Sequence, residues 1–285
     1  MAVAPLAEVP ESAAAGATAD IYTDIRHAIG VPMVNLVFRH MATVPGCLEW
    51  AWAQLAAIYT AGKVADAAAS LTAAPALRRP LAMSAAALAE AGLGPGEIAA
   101  VVQVCAAYGR ANPMNLLGLK VLQLLLSESV VARARRKPLR GQPPRPPAVD
   151  LTPLPPMLDL ARATPEQSDA LRALAMQLHQ GDTGVIPSLY RHFGAWPRFL
   201  TQLRFAIQAE IDAGRLFAAA EAMERDAHGA ARLLYLECPV VRLETPTAET
   251  LAALSGLIAT FPVNICRMTV VAHGVLAALA PPAPA

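Results

Sequence analysis

Two carboxamides stand three residues apart in Asn112-Pro113-Met114-Asn115, within an otherwise apolar stretch. An amide both donates and accepts hydrogen bonds, so such a pair beside a proline suits binding. It equally suits capping of the helix that follows, and the spacing leaves both readings open. Ser188 and Tyr190 sit at a second break in the helical pattern, and Met33 and Leu36 sit just after Val31-Pro32 at another. A pocket lined from such breaks would present Met33, Leu36, Asn112, Asn115, Ser188 and Tyr190 to an enclosed apolar space, a place for a small organic ligand.

Other chemistries lack their residues. Ser188 has no histidine and carboxylate at a recognisable spacing, which argues against a nucleophilic serine. There is no GxGxxG after a strand, no GxxxxGK[ST], no HExxH and no GxSxG, so nucleotide, zinc-protease and hydrolase-elbow readings fall away. Cys47, Cys105, Cys238 and Cys266 lie far apart, without a Cys-x-x-Cys pair, and read as buried free thiols. Neither a metal nor a cofactor is expected. Arg39-His40 and Arg191-His192 recur as matching pairs. A structural duty performed twice competes here with anion binding by the arginines.

The elements that would position these residues are helical throughout. Apolar residues recur three and four apart over residues 34–42 and 46–60, and no stretch alternates apolar and polar over strand length. Trp50, Leu55 and Ile58 share one such stripe and read as core. Pro113 is expected to end the helix that starts near Pro95 and to separate it from another over residues 116–132. Separate helices are likewise expected over residues 249–260 and 265–279.

The block Val37-Phe38-Arg39-His40 returns as Leu189-Tyr190-Arg191-His192, with Val44-Pro45 and Trp196-Pro197 closing the two copies, at an offset of about 150 positions. Asn112-Pro113-Met114-Asn115 similarly meets Phe261-Pro262-Val263-Asn264. The expected fold is all-α, two tandem helical repeats forming an intramolecular pseudo-dimer: residues 1–132, a Pro- and Arg-rich linker over 133–157, and residues 158–285.

The 285 residues are 55% hydrophobic and supply ample core, while 23 basic against 22 acidic residues give a net charge of +1. No overall field gathers nucleic acid or a membrane surface. The most apolar windows carry Lys120, or Arg267 and His273, short of the roughly 18 uninterrupted apolar residues of a membrane helix. The first twenty residues do not read as a secretory signal, and a cytoplasmic setting is expected.

Asp20-Ile21-Tyr22-Thr23-Asp24-Ile25-Arg26, Val31-Pro32, Met41-Ala42-Thr43-Val44-Pro45-Gly46, Asn112-Pro113, Leu126-Ser127-Glu128-Ser129 and Trp196-Pro197 carry a resemblance to the group I 2-haloacid dehalogenases. This is the all-helical type that acts on D and L substrates. The resemblance implies a site between two similar halves, a homodimer, and hydrolysis of small 2-halocarboxylic acids by a directly activated water. An aspartate of the second half activates that water with help from an asparagine of the first. Asn112 matches the asparagine and is the candidate catalytic residue.

Counted back from Trp196-Pro197, the aspartate's place falls on Leu189, with Ser188 and Tyr190 beside it. Asp182 is the nearest acid. Met33 and Leu36 stand where the family carries aromatic pocket residues. Besides the family's hydrolysis, the alternative is a divergent or non-catalytic protein that binds a small apolar carboxylic acid between the repeats.

Overall fold

The computed structural model describes residues 6–127, 151–179, 186–240 and 246–280. Most of the expected linker, residues 133–150, lies outside them. The described residues are helical, without a strand. After a 3-10 turn at Glu11–Ala13 come α1 (Gly16–Ile29), α2 (Leu36–Met41), α3 (Cys47–Thr60), α4 (Lys63–Thr72), a second 3-10 turn (Pro75–Arg78), α5 (Ala85–Glu90) and α6 (Pro95–Leu126). The later described helices are α7 (Pro165–His179), α8 (Ser188–Phe193), α9 (Pro197–Asp212), α10 (Arg215–Glu237) and α11 (Ala248–Leu279).

The local signals explain most boundaries. Thr164 and Gln167 cap α7 reciprocally, at 3.2 and 3.0 Å, and Thr247 accepts from the Thr250 N–H at the start of α11. Gly62 and Gly214, with φ of 76° and 68°, turn the chain into α4 and α10 through the left-handed region that glycine enters without steric cost.

The central pair of the fold is α6 against α11, each 32 residues long and each with a proline inside. This corrects the expectation that Pro113 and Pro262 end helices. A proline at 113 cannot donate to the carbonyl of Gly109, one turn earlier. His273 of α11 occupies that carbonyl instead, with Nε2 3.2 Å from Gly109 O. The donor missing from α6 is thus replaced from across the interface. The middle of α6, from Ala111 to Leu119, is buried on every side, as befits a core helix. By length and apolarity α11 could cross a membrane; here it is the partner of α6.

One smaller expectation changes. In α3, Leu55 and Ile58 are fully buried as expected, but Trp52 is the buried tryptophan and Trp50 is only partly covered. Trp52 meets Phe38 and Tyr59 edge-on, with centroids at 6.2 and 5.4 Å, so aromatic packing selects it. α5 starts at Ala85 after the Ser84 cap, and ahead of it the Leu81 N–H bonds to Gly274 O of α11 at 3.1 Å. All four cysteines are buried free thiols.

Candidate functional site

Tyr108, Asn112 and Asn115 fall four and three residues apart, so α6 aligns them on one face. Thr260, Asn264 and Met268, with Phe261 and Ile265, do the same on α11. The space between these faces is a cavity of about 400 Å³, closed by Asn35, Leu36 and Val37 at the start of α2, by Pro187 and Ser188 at the start of α8, and by Leu6.

Asn35 sits at the N-cap of α2 but makes no capping bond. Its Nδ2 donates to Asn112 Oδ1 at 3.3 Å, within the buried interior. A residue type that normally satisfies its own helix start is thus diverted into the cavity wall. Asn35 Oδ1, Asn112 Nδ2 and Asn115 Oδ1 are buried without a partner. Asn264 differs: Oδ1 lies 2.6 Å from His179 Nδ1, and Nδ2 reaches Thr260 O at 3.4 Å.

Behind Ser188 stands Arg39, which is 4% exposed. Its guanidinium donates to Ser188 Oγ at 3.2 Å and to Val34 O at 3.1 Å, and its Nε lies 2.6 Å from Glu8 Oε2. Glu8 is shared with Arg191 at 3.6 Å. Burial pushes the Tyr108 phenol above its ordinary range, against the pull of Arg39 and of a hydrogen bond with Ser188. Ser188 is thereby held by a guanidinium and a phenol, neither of which can take its proton.

The paired Arg-His residues pin segments that lie outside the helices. His40 Nδ1 lies 2.6 Å from Ala7 O, and Val9 N–H donates to Arg39 O at 3.0 Å. His192 Nδ1 donates to Pro155 O at 2.7 Å, and Leu158 N–H donates to Arg191 O at 2.9 Å. Burial, with Arg39 and Arg191 adding to it, lowers His192 to about 4, partly opposed by its bond to Pro155. The ring is neutral and packs edge-on against Tyr108.

Of the residues singled out from sequence, Leu36, Asn112, Asn115 and Ser188 line the cavity. Met33, Leu189 and Tyr190 are buried nearby, at 7%, 0% and 0% exposure, but do not line it. Asp182 lies outside the described residues. Sequence reasoning missed Asn35, Tyr108 and Asn264. For Asn264 the signal was present, in its match with Asn115 across the two Asn-Pro and Phe-Pro blocks. For Asn35 and Tyr108 there was none.

None of the described lining residues carries a charge, and no cluster of three His, Cys, Asp or Glu among the described residues could hold a metal. The cavity can enclose a small molecule and offer it amides and hydroxyls. Among these groups it has no base at neutral pH.

No family model matches the chain. The configuration-inverting 2-haloacid dehalogenase of Alcaligenes xylosoxydans xylosoxydans is 30% identical over 182 residues, which span 63% of this chain and 60% of that relative's length. A crystal structure of a D-2-haloacid dehalogenase mutant superposes with a TM-score of 0.76 at 20% identity, covering 98% of both chains. The fold is that of the 2-haloacid dehalogenases. A dehalogenase mutant in complex with D-2-CPA gives a TM-score of 0.72 at 21% identity, covering 98% of both chains. The enzyme in complex with L-LA gives 0.75 at 19%, covering 97% of this chain and 98% of that one. The dehalogenase likeness seen in short sequence pieces therefore extends to the whole described architecture.

Proposed function

We propose that this dehalogenase-fold protein binds a small 2-substituted carboxylic acid, or a derivative of one, in the cavity between α6 and α11, and that it releases halide slowly or not at all. The observation that supports this reading is the lining, which has carboxamides and hydroxyls but, among the described residues, no carboxylate. Direct attack by water on a halogen-bearing carbon needs a group to take the water's proton, and such a group is worth roughly 100- to 10,000-fold in rate. Asn112 can orient a water; it cannot accept that proton.

A second reading is favoured by the likeness to a configuration-inverting enzyme. In it the chain hydrolyses 2-haloacids with a base from outside the described lining, and Asp182 is the candidate. Both readings place the ligand in the same cavity. Two tandem repeats, a linker over 133–157 and a homodimer belong to the proposal as well. The repeats draw support from the paired internal prolines of α6 and α11 and from the two Arg-His pairs. Light scattering that finds only monomer removes the dimer.

Calorimetric titration with 2-chloropropionate, 2-chloropropionamide and methyl 2-chloropropionate tests the location. Saturable binding of at least one of them is expected for the natural protein and is lost in Ile265→Trp, which fills the cavity. Binding that survives in a folded Ile265→Trp protein puts the site elsewhere.

A further inference from the structure

The unpartnered polar atoms of the cavity are not distributed evenly. Asn264 has both ends of its amide engaged, by His179 and by Thr260 O. Asn35, Asn112 and Asn115, at 6%, 1% and 2% exposure, leave Asn35 Oδ1, Asn112 Nδ2 and Asn115 Oδ1 without a partner. Buried amide groups in this state are costly, and three around one cavity ask for a ligand that satisfies them.

The joined pair, Asn35 and Asn112, fixes what that ligand must carry. One amide donates to the other, so one oxygen and one NH2 remain free whichever way the two amides are turned. A ligand that completes the pair therefore needs an acceptor and a donor together. An ionised carboxylate has acceptors only. It meets the free NH2 but sets its negative oxygens against the free oxygen, and no lining side chain supplies a compensating charge. Arg39 is bonded to the lining residue Ser188, but it is not itself a lining residue and its guanidinium faces Glu8, Val34 O and Ser188.

We propose that the cavity selects the uncharged, donor-and-acceptor form of a small acid derivative, a primary carboxamide with a short apolar or halogenated substituent, over the corresponding carboxylate. The inference rests on the reading of this cavity as the ligand site and names the chemical class it takes. The carboxamide's C=O accepts from the free NH2 of the Asn35–Asn112 pair, and its own NH2 donates to a free asparagine oxygen. Its substituent lies against Leu36, Phe261 and Met268. An undissociated acid has the same pattern, but with an acid pKa near 3.5 only about one molecule in several thousand is undissociated at pH 7. Moving the ionised form into an apolar enclosure is disfavoured.

The test is a calorimetric comparison of 2-chloropropionamide with 2-chloropropionate at pH 7.5. The amide is expected to bind at least about tenfold more tightly, the effect of one or two neutral hydrogen bonds gained in a buried site. In Asn112→Leu, which removes half of the pair, the preference shrinks severalfold; if that variant does not fold, Asn35→Ala serves the same purpose. Equal or tighter binding of the carboxylate overturns the carboxamide preference and leaves the cavity as a ligand site. Binding of neither at millimolar concentration overturns both.

Discussion

Arg39 and Ser188, 149 positions apart in sequence, are joined by a hydrogen bond of 3.2 Å from the guanidinium to the hydroxyl, with both residues buried. The bond ties the start of α8 to α2 and places a positive charge directly behind a cavity-lining side chain. A carboxylate introduced at this position would therefore have a counter-charge waiting for it.

Ser188→Asp is expected to fold, with its carboxyl held ionised at neutral pH by Arg39. Leu189→Asp, one residue on, points the same group into a fully buried apolar core and is expected to cost about 3 kcal/mol or more. Urea unfolding of the two variants side by side checks this. Equal stability would mean that the start of α8 is oriented differently from the structure described above.

Three histidines make stability depend on pH in a defined direction. Burial is the largest cause of lowering for His179, His192 and His273, and it brings His192 to about 4. In the unfolded chain each titrates near 6.5, so below that pH the unfolded state binds more protons and stability falls as pH falls. The loss runs from about pH 6.5 down through the lowered values. His192 alone accounts for up to roughly 3 kcal/mol between pH 7 and 4. Unfolding free energies across this range should show the decline, and His192→Gln, which can still donate to Pro155 O, should flatten it.

The contact between His273 and Gly109 O satisfies the carbonyl that Pro113 leaves without its helical donor. His273→Phe should cost about 1 to 3 kcal/mol, because it leaves a buried carbonyl unpaired. In a Pro113→Ala background the helix supplies its own N–H, and the same substitution should cost distinctly less. A double-mutant cycle by chemical denaturation measures the difference. Additive costs would show that His273 acts through packing alone.

These relationships mark what the sequence could and could not reveal. Helical periodicity, the Thr164 and Thr247 caps and the Gly62 and Gly214 turns are local, and each was readable from a few adjacent residues. The carbonyl that Pro113 leaves unpaired in α6 is met by His273, 160 positions away, and a local rule could only predict a break. The site shows the same division. Asn112, Asn115 and Ser188 stood at visible interruptions of apolar pattern. Asn35 looks like an ordinary helix cap until the fold brings Asn112 within reach, and Tyr108 looks like a core residue. The positions of Leu189 and Ser188 are settled by a rotation of about 100° per residue along α8, which decides whether a side chain meets the cavity or the core.

The central claim, a dehalogenase fold whose cavity lacks a working base, is tested most directly by chloride release from D- and L-2-chloropropionate. The natural protein should be assayed beside Ser188→Asp and Asp182→Asn. Little or no release is expected from either enantiomer with the natural protein, no change with Asp182→Asn, and faster release with Ser188→Asp. Robust turnover by the natural protein that disappears in Asp182→Asn would contradict it and make the chain a working dehalogenase with its base at position 182.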